Sequence, residues 1–251
     1  MLASRIVSVI LMRGHEVVRG RSYGDYDGNS RGALRATIGL YERRNIDEVV
    51  LLDIGATPAG REPNVVLIRE FAGSMFCPVT VGGGVRTLEH FKALLANGAD
   101  KVAINTAAVE TPKLITYAAE KFGRQAVVVS IDVKDGHVKT HCGTRGTALR
   151  PVEWARECER RGAGEILLTS VSRDGTLAGY DLDLIQAVSS VVSVPVVACG
   201  GAGTYEHLKE GLDAGAHAVA AGAMWTFTDA TPAGAAEFLA SRGVAVRRKA
   251  A

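Results

Sequence analysis

The chain repeats itself at a fixed distance. Arg43-Arg44-Asn45-Ile46-Asp47-Glu48-Val49-Val50-Leu51-Leu52-Asp53-Ile54 returns as Arg160-Arg161-Gly162-Ala163-Gly164-Glu165-Ile166-Leu167-Leu168-Thr169-Ser170-Val171, an offset of 117 positions. The same offset carries Gly83-Gly84 onto Gly200-Gly201, and Ala99-Asp100-Lys101-Val102-Ala103-Ile104-Asn105-Thr106 onto Ala216-His217-Ala218-Val219-Ala220-Ala221-Gly222-Ala223. A repeat this long predicts two equivalent halves, approximately residues 1–122 and 123–251. What the glycine turns bind in one half, they are expected to bind in the other.

The repeated unit reads as alternating strand and helix. Short runs rich in β-branched residues lie at 5–11, 48–53, 78–82, 101–104, 126–132, 165–170, 194–199 and 217–222, which makes eight. Between most of them apolar residues recur at helical spacing, as in Leu88, Phe91, Leu94 and Leu95, and Pro112, Pro151 and Thr204 stand at helix starts. Eight βα units in 251 residues, 47% of them hydrophobic, predict one (βα)8 barrel domain rather than an open doubly wound sheet. Functional residues then belong at the C-terminal ends of the strands. The polar, glycine-rich stretch 20–30 is placed as a mobile loop over that face.

Composition narrows the partners. A formal charge of +2, with Arg247-Arg248-Lys249 as the one basic run, gives no nucleic-acid footprint. No apolar run approaches the roughly 20 residues that span a bilayer. The four cysteines form no CxxC pair and the N-terminus leads into a strand rather than a signal sequence, so a cytoplasmic protein without membrane partners is expected.

Two glycine turns look like anion cradles. Strand three runs into Gly82-Gly83-Gly84 and strand four ends at Asn105-Thr106; strand seven runs into Gly200-Gly201-Ala202-Gly203 and strand eight ends at Gly222-Ala223. Glycine lets backbone N–H groups approach an anion, and a following helix adds its positive end. Asp174-Gly175-Thr176 after strand six forms a turn facing the second cradle. A tight βα turn also needs glycine for backbone reasons alone, but two such turns at one offset favour a substrate with two phosphates, or a phosphate and another anionic end.

Acid–base chemistry falls to three strand ends. Asp53 and Asp132 each close an apolar strand, and Thr169 closes strand six. A carboxylate there is partly desolvated, which raises its pKa and suits proton transfer. Asp53 can equally cap the turn that follows it. His137 and His141 have metal-like spacing, but Val138-Lys139-Thr140 between them look like a strand of a β-hairpin with no acidic or cysteine partner except Cys142, so neither metal nor cofactor is expected. Cys199, Trp154 and Trp225 read as packing or pocket wall. Arg5, Glu48, Lys101 and Glu165 open four strands with alternating signs; such residues are usually just solvated, although they have the charges to pair into a ring.

Val81-Gly82-Gly83-Gly84-Val85-Arg86, 99–108, 162–170 and Asp174-Gly175-Thr176 together resemble the cyclase subunit family of imidazole glycerol phosphate synthase, and the likeness covers essentially the whole chain. The resemblance implies a barrel of two half-barrels that pairs with a glutaminase, takes ammonia through its N-terminal face and uses it on a bisphosphorylated substrate. It implies an ammonia gate of Arg5, Glu48, Lys101 and Glu165, with Asp100 facing the glutaminase. It assigns Gly84, Asn105 and Thr106 to one phosphate, and Asp174, Gly175, Gly201 and Ala223 to the other. Arg19 stands for a lysine of the first loop, and Cys199 for a serine.

One departure is chemical. The family ends strand one in a catalytic aspartate, the partner of the one matched by Asp132, where this chain has Leu11. A leucine moves no proton, and loss of a positioned acid or base typically costs about 10² to 10⁴ in rate. Asp25 or Asp27 on the loop are candidate substitutes. An apolar residue here, with the 198–203 and 220–223 segments, looks more like paralogues associated with sugar amidation. The expectation is therefore an ammonia-channelling synthase subunit acting on a phosphorylated or nucleotide-activated substrate, with acetamidino-sugar formation as its reaction. The alternatives are the cyclase of histidine biosynthesis and a non-catalytic barrel that activates a glutaminase.

Overall fold

The computed structural model describes residues 3–18, 20, 23–24, 34, 37, 39, 44–72 and 75–247. Eight parallel strands close on themselves: β1 (Arg5–Arg13), β3 (Glu48–Asp53), β4 (Val79–Gly82), β5 (Lys101–Ile104), β6 (Val127–Lys134), β9 (Glu165–Ser170), β10 (Val196–Cys199) and β11 (Ala218–Ala221). They pair in chain order, and β1 pairs with β11 to shut the ring, Arg5 opposite Ala218 and Ser8 opposite Ala221. Around the barrel run α1 (Val65–Ala72), α2 (Leu88–Ala96), α3 (Thr106–Glu110), α4 (Lys113–Phe122), α5 (Pro151–Arg161), α6 (Leu182–Ser189), α7 (Tyr205–Asp213), α8 (Ala223–Phe227) and α9 (Pro232–Ser241). The expected (βα)8 barrel is what forms.

The strands are buried on both faces, which is why they read as unbroken apolar runs rather than alternating ones. Odd and even positions nonetheless go to different places, because side chains alternate across a strand. Val7, Val50, Ala103, Val128, Leu167, Val197, Ala218 and Ala220 fill the inside of the barrel. Their neighbours Ile6, Val49, Leu51, Val102, Val127, Ile166 and Leu168 pack outward under the helices.

Helix starts repeat with the sequence. Thr87 caps α2 by accepting from the His90 N–H, and Thr204, 117 residues on, caps α7 by accepting from the His207 N–H, both at 3.3 Å. Pro151 sits in the first turn of α5, where its missing N–H costs nothing. Pro112 precedes α4 as its cap residue.

Two strands run beyond their expected ends. β1 turns at Gly14 and returns as β2 (Glu16–Val18), pairing Leu11 with Val18 and Arg13 with Glu16. β6 turns at Asp135-Gly136 and returns as β7 (His137–Thr140), pairing Asp132 with Lys139 and Lys134 with His137, and β8 (Arg145–Gly146) extends this hairpin. The hairpins match, so Leu11 and Asp132 hold equivalent places in the two halves. Across to the next strand the match persists: Leu11 lies opposite Leu52, and Asp132 opposite Thr169.

Candidate active site

The C-terminal ends of the strands form a mouth with two cavities. One is bounded by Gly83, Gly84, Asn105, Thr106 and Asp132, the other by Leu11, Thr169, Asp174, Gly175, Gly201 and Ala223. Tyr23 and Leu52 wall both.

The turns after β4 and β10 are built alike. Gly83 and Gly200 have φ of 109° and 89°, and Gly84 and Gly201 of 71° and 114°, a region that favours glycine. A methyl on Gly83 would strike the backbone carbonyl of Asp53; one on Gly200 would strike that of Ser170, its repeat partner. The glycines are thus required by close backbone approach, and both turns open onto the mouth. On the first side the Gly84 N–H donates to the Thr57 hydroxyl at 3.3 Å. Asn105 is fixed by donating to the carbonyls of Ser130 and Lys139 at 3.1 and 3.0 Å, and the Thr106 hydroxyl accepts from the His141 N–H at 2.9 Å.

Asp132 faces the mouth from the inside of β6. Burial pushes its pKa up to about 6, an effect the hydrogen bonds from Ser130 and Tyr23 only partly offset. The Ser130 hydroxyl donates at 2.9 Å. Asp174 is also raised to about 6 by burial, partly offset by backbone N–H groups of Tyr23 and Gly175. Its Oδ2 is buried without a hydrogen-bond partner among the described residues. Thr169 shares the interior face with Asp132, is 1% exposed and interacts with the Tyr23 hydroxyl and the Cys199 thiol. Burial drives that thiol up to about 12, so it stays neutral.

Asp53 borders the first cavity, but its carboxylate is engaged. Oδ1 accepts from the Gly55 N–H at 2.9 Å, and Oδ2 pairs with Arg61 at 3.1 Å. This is the turn-capping arrangement.

At the opposite end of the barrel the four charged strand starts do form a ring. Arg5 reaches Glu48 at 2.5 Å and Glu165 at 2.6 Å, while Lys101 reaches Glu48 at 2.9 Å and Glu165 at 3.1 Å. The Thr80 hydroxyl donates to Glu48 at 2.8 Å. Glu48 is 2% exposed, a burial tolerable for a carboxylate only because it is paired on several sides. Asp100 lies beside this ring on the exposed surface, where it accepts the Val79 N–H at 2.8 Å.

Arg19, Asp25 and Asp27 lie outside the described residues. Trp154 and Trp225 are 4% and 3% exposed within the outer core. His137 interacts with the Asp135 carbonyl and His141 with Glu110, and no cluster of three metal-ligating side chains occurs among the described residues. No described helix is long and apolar enough to cross a membrane. Sequence reasoning passed over Ser130, Arg61, Thr57 and Tyr23. Ser130 was recoverable, being two positions before Asp132 and so on the same strand face.

A family model described as histidine biosynthesis protein matches residues 5–230. The imidazole glycerol phosphate synthase subunit HisF of Chlorobium phaeobacteroides is 42% identical over 252 aligned positions, which cover 98% of this chain and 100% of that protein.

Proposed function

This chain belongs to the histidine biosynthesis protein family, and from that premise we propose that it is an ammonia-using synthase subunit of the imidazole glycerol phosphate synthase type. A glutaminase docks on the face that carries Asp100 and the Arg5–Glu48–Lys101–Glu165 ring. Ammonia passes the ring, rises through the barrel and meets a substrate held by its two anionic ends at the Gly84 and Gly201 turns. One observation carries this reading: the charged ring and Asp132 lie at opposite ends of a single interior lined by Val7, Val50, Ala103, Val128, Leu167, Ala218 and Ala220. An apolar interior admits neutral ammonia and rejects ammonium, whose desolvation it cannot repay.

Within that reading each group has a task. Glycine N–H groups of the two turns, with Asn105 and Thr106 at one and Gly175 and Ala223 at the other, bind phosphate oxygens. Asp132, with a pKa near 6, exchanges protons with the substrate around neutral pH. Thr169 orients the reacting portion by hydrogen bonding. Asp174, whose Oδ2 is buried without a hydrogen-bond partner among the described residues, borders the second cavity and accepts from a substrate hydroxyl or amine. Arg19 holds an anionic end from the first loop.

Imidazole ring closure in histidine biosynthesis is the first form of this function, supported by 42% identity along the whole chain to a protein of that name. Leu11 favours a second form. With a leucine in the place equivalent to Asp132, the mouth keeps one member of the acid pair in the family pattern, and amidine formation on an activated acetamido sugar needs only one. The deciding experiment supplies excess ammonium salt, which bypasses the glutaminase, with either the histidine-pathway precursor or activated acetamido nucleotide sugars. Turnover of the precursor establishes the first form; turnover of the sugar alone replaces it with the second. Asp132→Asn is expected to lower the rate about 10² to 10⁴-fold while glutaminase binding persists. Undiminished pathway activity in that variant would leave only a glutaminase-activating barrel.

A further inference from the structure

The two glycine turns continue alike beyond their glycines. Thr87-Leu88-Glu89-His90 opens α2 and Thr204-Tyr205-Glu206-His207 opens α7, again 117 positions apart. In both helices the histidine N–H donates to the threonine hydroxyl that caps the helix. Each imidazole then reaches back past the cap. The Arg86 N–H donates to Nδ1 of His90 at 3.1 Å, and the Gly203 N–H donates to Nδ1 of His207 at 3.2 Å. An ordinary capping box uses Glu or Gln for the return bond and ends it on the cap residue. Here it ends one residue earlier, on the tail of the glycine turn.

Neither imidazole borders the cavities of the mouth, so neither is a direct ligand of a group held there. What each holds is the frame of a turn. The His207 ring lies over Gly179, where an added methyl would come to 3.4 Å from Cδ2 and Nε2, and the Gly179 N–H donates to the Gly201 carbonyl at 2.8 Å. His207 thus fixes the second turn at Gly203 directly and at Gly201 through Gly179. On the first side Arg86 is held twice, its N–H by His90 and its guanidinium by the Gly60 carbonyl at 3.2 and 3.3 Å. An Nδ1 that accepts carries no proton, which leaves the ring proton on Nε2; in His90 that nitrogen faces Glu62 at 3.7 Å.

We propose that His90 and His207 are the positioning residues of the two anion turns, each anchoring the far end of its glycines through Nδ1 so that the turn stays open to the mouth. The inference rests on the anion role given above to Gly84 and Gly201, and it names what keeps those turns ready. Consecutive glycines have the most backbone freedom to lose, and an anchor set before the anion arrives lowers the ordering cost of binding. The residue type follows from the ligand. A carboxylate at position 90 or 207 would make the same return bond but would bring a negative charge towards the anion, whereas an imidazole accepts without one.

The test follows the amide signals of Gly84 and Gly201 by nitrogen-15 NMR while inorganic phosphate is titrated into the full chain. His207→Phe keeps a ring and removes the acceptor; the phosphate affinity read at Gly201 should fall about tenfold while that read at Gly84 holds, and His90→Phe should do the reverse. Asn at either place, with its Oδ1 standing where Nδ1 was, should restore binding. Glu, the usual capping-box residue, should keep the helix cap but not the binding. Unchanged affinity in both Phe variants overturns the proposal, and so does equal loss at both turns in each of them. Full phosphate binding in His90→Glu and His207→Glu would also overturn it, reducing the imidazoles to helix caps. Where a Phe variant does not fold, the imidazole nitrogen-15 spectrum of the unaltered chain decides: a proton on Nδ1 of either ring in alkaline solution removes the anchor. An unaltered chain in which neither glycine signal responds to phosphate would instead sink the anion reading itself.

Discussion

At the scale of single residues, Asp132 trades stability for reactivity. Its folded value near 6 lies above the ordinary 3.8 because burial disfavours the charge. Folding therefore takes up a proton between those values; the stabilisation from it is complete below about pH 3.8 and is lost as pH rises through 6. Asp132→Asn removes the ionisation that costs stability at neutral pH. The variant is expected to be more stable than the parent at about pH 8, by up to about 3 kcal/mol, and the difference should vanish towards about pH 4. Urea unfolding across that range checks both sign and window. Asp132 was legible in the sequence because it ends an apolar run. Tyr23 was not, because nothing local says that a loop tyrosine will lie against strand ends of both halves; Ile54 and Val171 come together around it only once the mouth is assembled.

At the scale of elements, the repeat is carried by backbone geometry more than by side chains. Gly83 and Gly200 each need positive φ and each abut the carbonyl of the preceding strand's end. Gly83→Ala and Gly200→Ala should each destabilise by about 1 to 3 kcal/mol, from strain plus backbone collision. Thermal unfolding would show it, and Gly14→Ala, at φ 67° with open space around the missing methyl, separates strain from collision and should cost less. Strand positions were readable because burial on both faces leaves a continuous β-branched run. The hairpin strand at 138–140 was readable too, but the extension of β1 was harder: Met12-Arg13-Gly14 mixes polar and apolar residues, and only cross-strand pairing with 16–18 makes it strand.

At the scale of the whole molecule, each half contributes four strands, β1, β3, β4 and β5 against β6, β9, β10 and β11. Two seams, β5 to β6 and β1 to β11, join them. A half alone would leave two buried-type strands with unpaired edges. Fragments 1–122 and 123–251 are expected to self-associate when separate and to form a one-to-one complex with the intact chain's circular dichroism when refolded together; light scattering on a sizing column measures the stoichiometry, and the absence of that complex would count against independent halves. The closed barrel was legible from eight runs at regular spacing. The ring of Arg5, Glu48, Lys101 and Glu165 was legible only as four unpaired letters, since three come from one half and the fourth from the other. As a network this ring is a cycle of four links through alternating charges. Cut any one link and what remains is an open path in which every charge still has a neighbour of opposite sign. The floor of the barrel can therefore part at one place at a time without stranding an ion, whereas two isolated pairs of the same composition could not.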